Sequence, residues 1–235
     1  MTADLVVNAD DFGRSPAINR GILQAHVEGL VTSTSLMVRW DAAAPAAALA
    51  REHPRLGVGL HVDLGEWEFH DGEWRASYDV VDTADGAAVQ REVERQLARF
   101  TALTGGPPTH LDSHQHVHRD EPVRSVVADA ARSLGVPVRH APGIRYCGAF
   151  YGQGRRGEPL PELIGADALA RLLTELPDGA TELACHPADA VDLETAYGPE
   201  RLAELRALCD PGVRRAARER GVRLCAFPDL RRPQG

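Results

Sequence analysis

The sequence predicts an α/β chain built on a parallel sheet, and three observations carry that prediction. Seven short apolar stretches alternate with segments of helical apolar spacing. The polar residues able to do chemistry fall near the C-terminal ends of the first, third, fourth and sixth stretches. No repeat, linker or composition shift divides the 235 residues, so one domain over 1–235 is expected. A barrel and an open doubly wound sheet both satisfy the alternation. The spread of polar residues over several strand ends favours the barrel.

The elements follow in order. Asp4-Leu5-Val6-Val7-Asn8-Ala9 reads as a buried strand running into Asp10-Asp11-Phe12-Gly13. Ser15-Pro16 has the form of an N-cap and first-turn proline, and Ile18, Ile22, His26 and Leu30 carry a helix over about 16–29. Residues 31–37 are β-branched and strand-like, and the alanine-rich run 42–52 is helical. A third strand covers 56–64, where Gly57 and Gly59 imply close backbone approach. Residues 65–85 scatter Trp67, Phe69, Trp74 and Tyr78 among charges with no period, and read as a long excursion. Val89, Val93, Leu97, Phe100 and Leu103 set a helix over 87–103, which Gly105-Gly106-Pro107-Pro108 ends.

A fourth strand is expected over 109–118, then a helix over 122–134 stopped by Gly135. A short fifth strand covers 136–139, with a second excursion at 142–162 rich in Gly, Pro, Arg and aromatics. A helix at 166–176, a sixth strand at 180–185, helices at 199–208 and 211–220, and a closing strand at 222–225 complete the chain.

Composition excludes several classes. A formal net charge of −8 argues against a nucleic-acid surface. All 26 basic residues are arginine, so chemistry needing a Schiff-base lysine is excluded. The four cysteines show no CxxC spacing, which disfavours a zinc ribbon or a secreted disulfide framework and suggests buried free thiols. No apolar run reaches the roughly 18 residues of a membrane span, and no leader-like segment precedes the first strand, so a cytoplasmic location is expected. A G-x-S-x-G elbow, a P-loop and G-x-G-x-x-G are all missing, which removes the usual serine-hydrolase and nucleotide readings.

The chemistry concentrates in Thr109-His110-Leu111-Asp112-Ser113-His114-Gln115-His116-Val117-His118, which holds four of the ten histidines. Continued as a strand, it would aim His110, Asp112, His114, His116 and His118 to one face. A lone histidine is more often structural; this density points to a metal or catalytic site. Asp10, Asp11, His61, His114 and His186 complete the set, with the other histidines in reserve. Two histidines and a carboxylate with open positions suit a catalytic divalent metal. A second carboxylate can act as base on a metal-activated water, and a histidine across the site can protonate a leaving group. The same ligands also serve ferrous oxygenases, and phosphoester hydrolysis or deformylation would use the same chemistry. A non-catalytic sugar- or metal-binding barrel is a further alternative, although such a site has no need of a spare base. Arg139, Tyr151, Trp67 and His118 are the candidates for substrate contact.

These residues also carry a family resemblance. Asn8-Ala9-Asp10-Asp11-Phe12-Gly13, Gly59-Leu60-His61, the 109–118 block, Phe150-Tyr151-Gly152 and Cys185-His186-Pro187 together resemble the YdjC-like carbohydrate deacetylases. That family includes chitooligosaccharide deacetylases and relatives linked to hopanoid biosynthesis. The resemblance implies an irregular (β/α) barrel of fewer than eight strands, similar to polysaccharide deacetylases. It implies one divalent metal, magnesium by resemblance with zinc, manganese or cobalt open. The implied reaction removes an N-acetyl group from a small acetylated amino sugar. The resemblance is compatible with a homodimer. Carried over position by position, Asp11, His61 and His114 would hold the metal, Asp10 would be the base and His186 the general acid. Which member of the Asp pair is base and which is ligand stays open at this level. The segments 65–85 and 142–162 depart from the pattern and would shape the substrate pocket.

Overall fold

A computed structural model describes residues 3–140 and 142–230. Its main sheet is all parallel, in the order β6-β3-β2-β1-β8-β7, with β9 also paired to β1. The strands are β1 (Ala3–Phe12), β2 (Ser33–Leu36), β3 (Gly57–Val62), β6 (Leu111–Ser113), β7 (Ile144–Cys147), β8 (Gly179–Cys185) and β9 (Arg223–Leu224). Among the described residues seven helices connect them: α1 (Pro16–Val27), α2 (Ala43–Glu52), α3 (Gly86–Thr104), α4 (Val123–Leu134), α5 (Ala166–Thr174), α6 (Pro199–Leu208) and α7 (Pro211–Arg220). Parallel neighbours require such crossovers, and the helices cover the sheet's outer face.

The sheet curls into an irregular (β/α) barrel. Asn8 on β1 and Asp112 on β6 lie three strands apart in the hydrogen-bonded order, yet Asn8 Nδ2 is 3.5 Å from Asp112 Oδ2. A flat sheet would separate those strands by about 14 Å. Leu5, Val7, Phe12, Leu36, Leu60, Val62, Leu111 and Leu183 join helix residues such as Ile18, Ile22, Val93, Phe100, Val127 and Leu169 in one buried core. Its apolar burial is the main stabilising term.

Local chemistry sets the element ends. Ser15 Oγ accepts from the Ile18 N–H at 3.1 Å, and Pro16 opens α1 as expected. Asp85 caps α3 by accepting from Ala87 and Ala88, and Asp210 caps α7 through Gly212 and Val213. Gly59 answers to the close approach anticipated on β3: a Cβ there would lie 2.3 Å from His110 Cε1.

Four expectations are corrected. The 65–85 excursion contains an antiparallel hairpin, β4 (Gly65–His70) and β5 (Glu73–Asp79). Its turn places Asp71 and Gly72 at φ 52° and 89°, the left-handed pair that an Asp-Gly hairpin turn favours. The fourth strand stops at Ser113, and residues His114–Arg119 turn away, with Gln115 and His116 at φ 49° and 58°. The 136–139 segment forms only a single bridge, Val138 to Leu111. The strand neighbouring β8 is instead β7, inside the second excursion. Among the described residues no helix is long and apolar enough to cross a membrane.

Candidate active site

The site lies at the C-terminal ends of the barrel strands, where parallel α/β folds collect their chemistry. Adjacent residues on a strand point to opposite faces, so Asp10 and Asp11 should diverge. They do not, because the β1–β2 register shifts between Ala9 and Phe12 and Asp11 adopts φ 69°. That left-handed backbone is unfavourable for a non-glycine residue and turns both carboxylates into the site.

Asp11 faces two histidines. Its Oδ1 lies 3.5 Å from His61 Nε2 and 3.3 Å from His114 Nδ1. One donor atom from each of the three falls within 4.8 Å of the others. Asp11 Oδ2 accepts from Arg201 on α6, which leaves Oδ1 free. Buried and without a hydrogen-bond partner, Asp11 Oδ1 is the orphaned acceptor that a cation would satisfy. His61 Nδ1–H donates to Asp112 Oδ1 at 2.7 Å, the carboxylate–histidine arrangement that orients a metal-ligating imidazole. This donor set fits a divalent metal.

Burial would raise the Asp11 carboxyl, but Arg201 and His114 hold it well below the usual range. Burial would also lower His114; the Asp11 and Glu66 carboxylates outweigh it and lift that imidazole to about 9. Glu66, on β4, lies 3.7 Å from His114 Nε2 and pairs with Arg14.

Asp10 has different surroundings. Arg139 grips it with two hydrogen bonds of 2.7 Å, Nη1 to Oδ2 and Nη2 to Oδ1, and Asn8 donates to Oδ1 at 2.8 Å. The same guanidinium reaches Asp112 at 2.8 Å and Glu182 at 2.6 Å. Against the penalty of burial, Arg139 keeps the Asp10 carboxyl below its ordinary value, whereas burial pushes Glu182 up to about 7. Asp10, His61 and Asp112 also sit close enough to suggest a cation. Arg139 already supplies one to both carboxylates.

His186 follows β8 and sits across from this pair, its Nε2 3.8 Å from Asp10 Oδ2. Burial lowers it to about 4, with Asp10 and Asp11 opposing that shift. Its backbone N–H donates to Glu204 on α6, and Tyr197 O–H donates to the same carboxylate. Tyr151 stacks on Tyr197 with centroids 4.5 Å apart, and both rings meet the His186 imidazole edge-on. Cys185 beside it is buried, which pushes its thiol well up and removes it as a nucleophile.

Asp10, Asp11, His61, Glu66, His114, His186 and Arg201 open on a cavity of about 730 Å³, walled on one side by Trp67, Phe69 and Trp74 of the hairpin and on another by Tyr146 and Tyr151. Asp10, Asp11, His61, His114 and His186 are therefore brought together, and Trp67 and Tyr151 line the cavity beside them. Arg139 and His118 lie elsewhere. Arg139 is 2% exposed and sits behind Asp10, while His118 is 4% exposed and faces Ser113. Sequence reasoning missed Arg14, Glu66, Arg201, Glu204 and Tyr197 as site-shaping residues. Arg201, Glu204 and Leu208 share a helical face at i, i+3 and i+7 and are all buried, a polar core stripe that periodicity could have revealed.

Fold and site together define a (β/α) barrel with a His-His-Asp group able to hold a cation and a separate carboxylate–histidine pair. A profile described as YdjC-like protein matches residues 4–219, and the chain belongs to that family. It is 35% identical to a chitooligosaccharide deacetylase of Serratia marcescens, over 96% of this chain and 98% of that one. It is 36% identical to a carbohydrate deacetylase of Geobacillus stearothermophilus, over 96% and 97%. Among solved structures, a protein from Enterococcus faecalis V583 named for a proposed cellobiose-phosphate cleavage activity superposes with TM-score 0.79 at 24% identity, covering 97% and 98% of the two chains. A family 4 carbohydrate esterase from Streptomyces lividans, solved with acetate, shares the fold at TM-score 0.54 and 15% identity, covering 94% and 90%.

Proposed function

We propose that this chain is a metal-dependent carbohydrate N-deacetylase that removes the acetyl group from an acetylated amino sugar or short oligosaccharide. The observation that carries the reading is the separation of the two aspartates. Asp11 presents a bare oxygen to two imidazoles, while both Asp10 oxygens are bound by Arg139 and Asp10 faces His186. The relatives named as deacetylases support the substrate class.

Asp11, His61 and His114 would hold a divalent cation, which when bound supplies a Lewis acid that acidifies water and polarises the acetyl carbonyl. Two imidazoles suit zinc, manganese or cobalt, and the family resemblance points to magnesium. Asp10, kept ionised by Arg139, takes the proton from the attacking water. His186 is neutral at rest, so it gains its proton during turnover. Asp10 Oδ2, 3.8 Å away, is the group placed to deliver it. His186 then hands that proton to the departing amine, without which the addition product expels a poor leaving group. Arg201 fixes Asp11, and Glu204 fixes the turn carrying His186. The cavity's volume suits a sugar of a few rings, and Trp67, Trp74 and Tyr151 offer aromatic faces for it.

The test is acetate release from a panel of N-acetylated sugars, with metal content measured in parallel. Chelator should abolish activity. Asp10→Asn should lose on the order of 100- to 10,000-fold in rate while keeping its metal, and His114→Ala should lose the metal itself. A tightly bound metal with no acetate from any sugar would overturn the deacetylase reading and leave another metal-dependent reaction or a binding barrel.

A further inference from the structure

Beyond the catalytic cluster, a second group of histidines has no part in the proposed reaction. His116 and His118 lie in the turn after β6, and His140 lies on the segment leading to β7. Their rings meet pairwise, with centroids 6.0, 5.4 and 5.6 Å apart, and one nitrogen of each lies within 4.8 Å of the others. We propose that His116, His118 and His140 form a second metal site, which takes one borderline transition ion of the zinc class.

Three features support it. The first is a pair of bare nitrogens. His118 is 4% exposed with its Nδ1 beside Ser113 Oγ at 2.6 Å, which leaves Nε2 buried and without a partner. His116 Nε2 lies 3.0 Å from Tyr146 Oη, and its Nδ1 is likewise buried and bare. Buried imidazole nitrogens normally find partners. Here each ring has one nitrogen oriented by a neighbouring hydroxyl and the other left open, the outer-shell arrangement of metal-ligating histidines.

The second feature is backbone strain. His116 and His140 both adopt left-handed conformations, at φ 58° and 68°. Left-handed backbone at two non-glycine residues that meet each other is the kind of local strain that clusters at ligand sites. The third is ligand chemistry. Three imidazoles with no carboxylate are a borderline-soft set with a fourth position open, which suits zinc and disfavours magnesium or calcium. Nitrogens around such an ion sit roughly 3.4 Å apart, so the rings need turn inward by about an ångström. His140 is exposed and free to do so.

The position gives the ion a task. β6 and β7 are the two ends of the barrel's hydrogen-bonded strand order. His116 and His118 follow one end, His140 lies on the approach to the other, and the His116 partner Tyr146 stands on β7 itself. A bound ion would staple the barrel seam. It would also hold His116 in the wall of the cavity.

Tag-free protein, stripped with chelator and dialysed against zinc, is expected to hold two ions per chain by elemental analysis. His118→Ala and His140→Ala should each release one, and Asp11→Asn with His140→Ala should release both. Saturating zinc should raise the melting temperature of the wild type further than that of His140→Ala, while the two stripped proteins melt together. A zinc count and melting shift left unchanged by both His118→Ala and His140→Ala would overturn the proposal. A count unchanged by Asp11→Asn alone would instead remove the catalytic metal site.

Discussion

Arg139 and Asp10 are joined by two hydrogen bonds of 2.7 Å although 129 residues separate them in the chain. The pair is buried, and the same guanidinium reaches Asp112 through Nη2 and Glu182 through Nε. Geometry of this kind belongs to arginine alone, since lysine cannot offer a planar fork. Arg139→Lys should therefore lower kcat/KM on the order of 100-fold by misplacing Asp10. Because Arg139 holds the Asp10 carboxyl down, weakening the grip raises its pKa. The acidic limb of the pH–rate profile should move to higher pH. An unchanged profile would mean that Asp10 is not the base.

A prediction about packing comes from Gly59. The ring of His110 occupies the space where a Cβ would stand, 2.3 Å from Cε1 and 2.5 Å from Nδ1. His110 is itself pinned, stacked on Phe227 at 4.0 Å and lying 3.0 Å from Ser35 Oγ. Gly59→Ala should destabilise the fold by roughly 1–3 kcal/mol in urea unfolding, as overpacking of a tight core does. A neutral result would show that the ring can move.

The same histidine predicts a pH dependence of stability. Burial lowers His110 to about 4 from its ordinary value of 6.5. Between these values the unfolded chain binds a proton that the folded one refuses, so stability rises with pH. Its contribution is complete above about pH 6.5 and is lost as pH falls toward 4, roughly 3 kcal/mol in all. Urea unfolding at pH 7, 5.5 and 4 should show that slope. His110→Phe, which keeps a ring against Phe227, should reduce that slope by the share of one buried imidazole, the buried His186 contributing in the same direction.

The hairpin predicts a split between binding and chemistry. Trp74 is 59% exposed and forms part of the cavity wall far from Asp10 in role. Trp74→Ala should leave the melting temperature within the range of ordinary surface changes. KM for an oligosaccharide should rise about 2- to 10-fold with kcat little changed, the mark of lost uniform binding. A fall in kcat alone would assign the hairpin a different part.

Much of the barrel was legible because periodicity is local. The apolar run of β1, the Ser15-Pro16 helix start and the helical spacing of Val89, Val93, Leu97 and Phe100 each follow from residues a few positions apart. The hairpin was also legible in principle, since Asp71-Gly72 is a turn signal between aromatic-rich arms. Of its two strands β5 is almost wholly solvent-facing and β4 half-buried, so no clean apolar alternation marked them.

The histidine-rich block shows where local reading stops. As a continuous strand it would have put four histidines and Asp112 on one face. The turn at Gln115 and His116 instead sends His114 to Asp11 and sends His116 and His118 to His140. Two clusters thus arise from one sequence motif.

The parallel α/β alternation could be read from the chain alone, as could a set of residue types able to hold a metal and the strand ends on which Asp10, Asp11, His61 and His186 stand. These are properties of short windows, in which neighbouring side chains decide the backbone. The different surroundings of Asp10 and Asp11, by contrast, come from long-range packing. They depend on Arg139 and Arg201, cations 129 and 190 residues away, which reach the two carboxylates only when the sheet has curled.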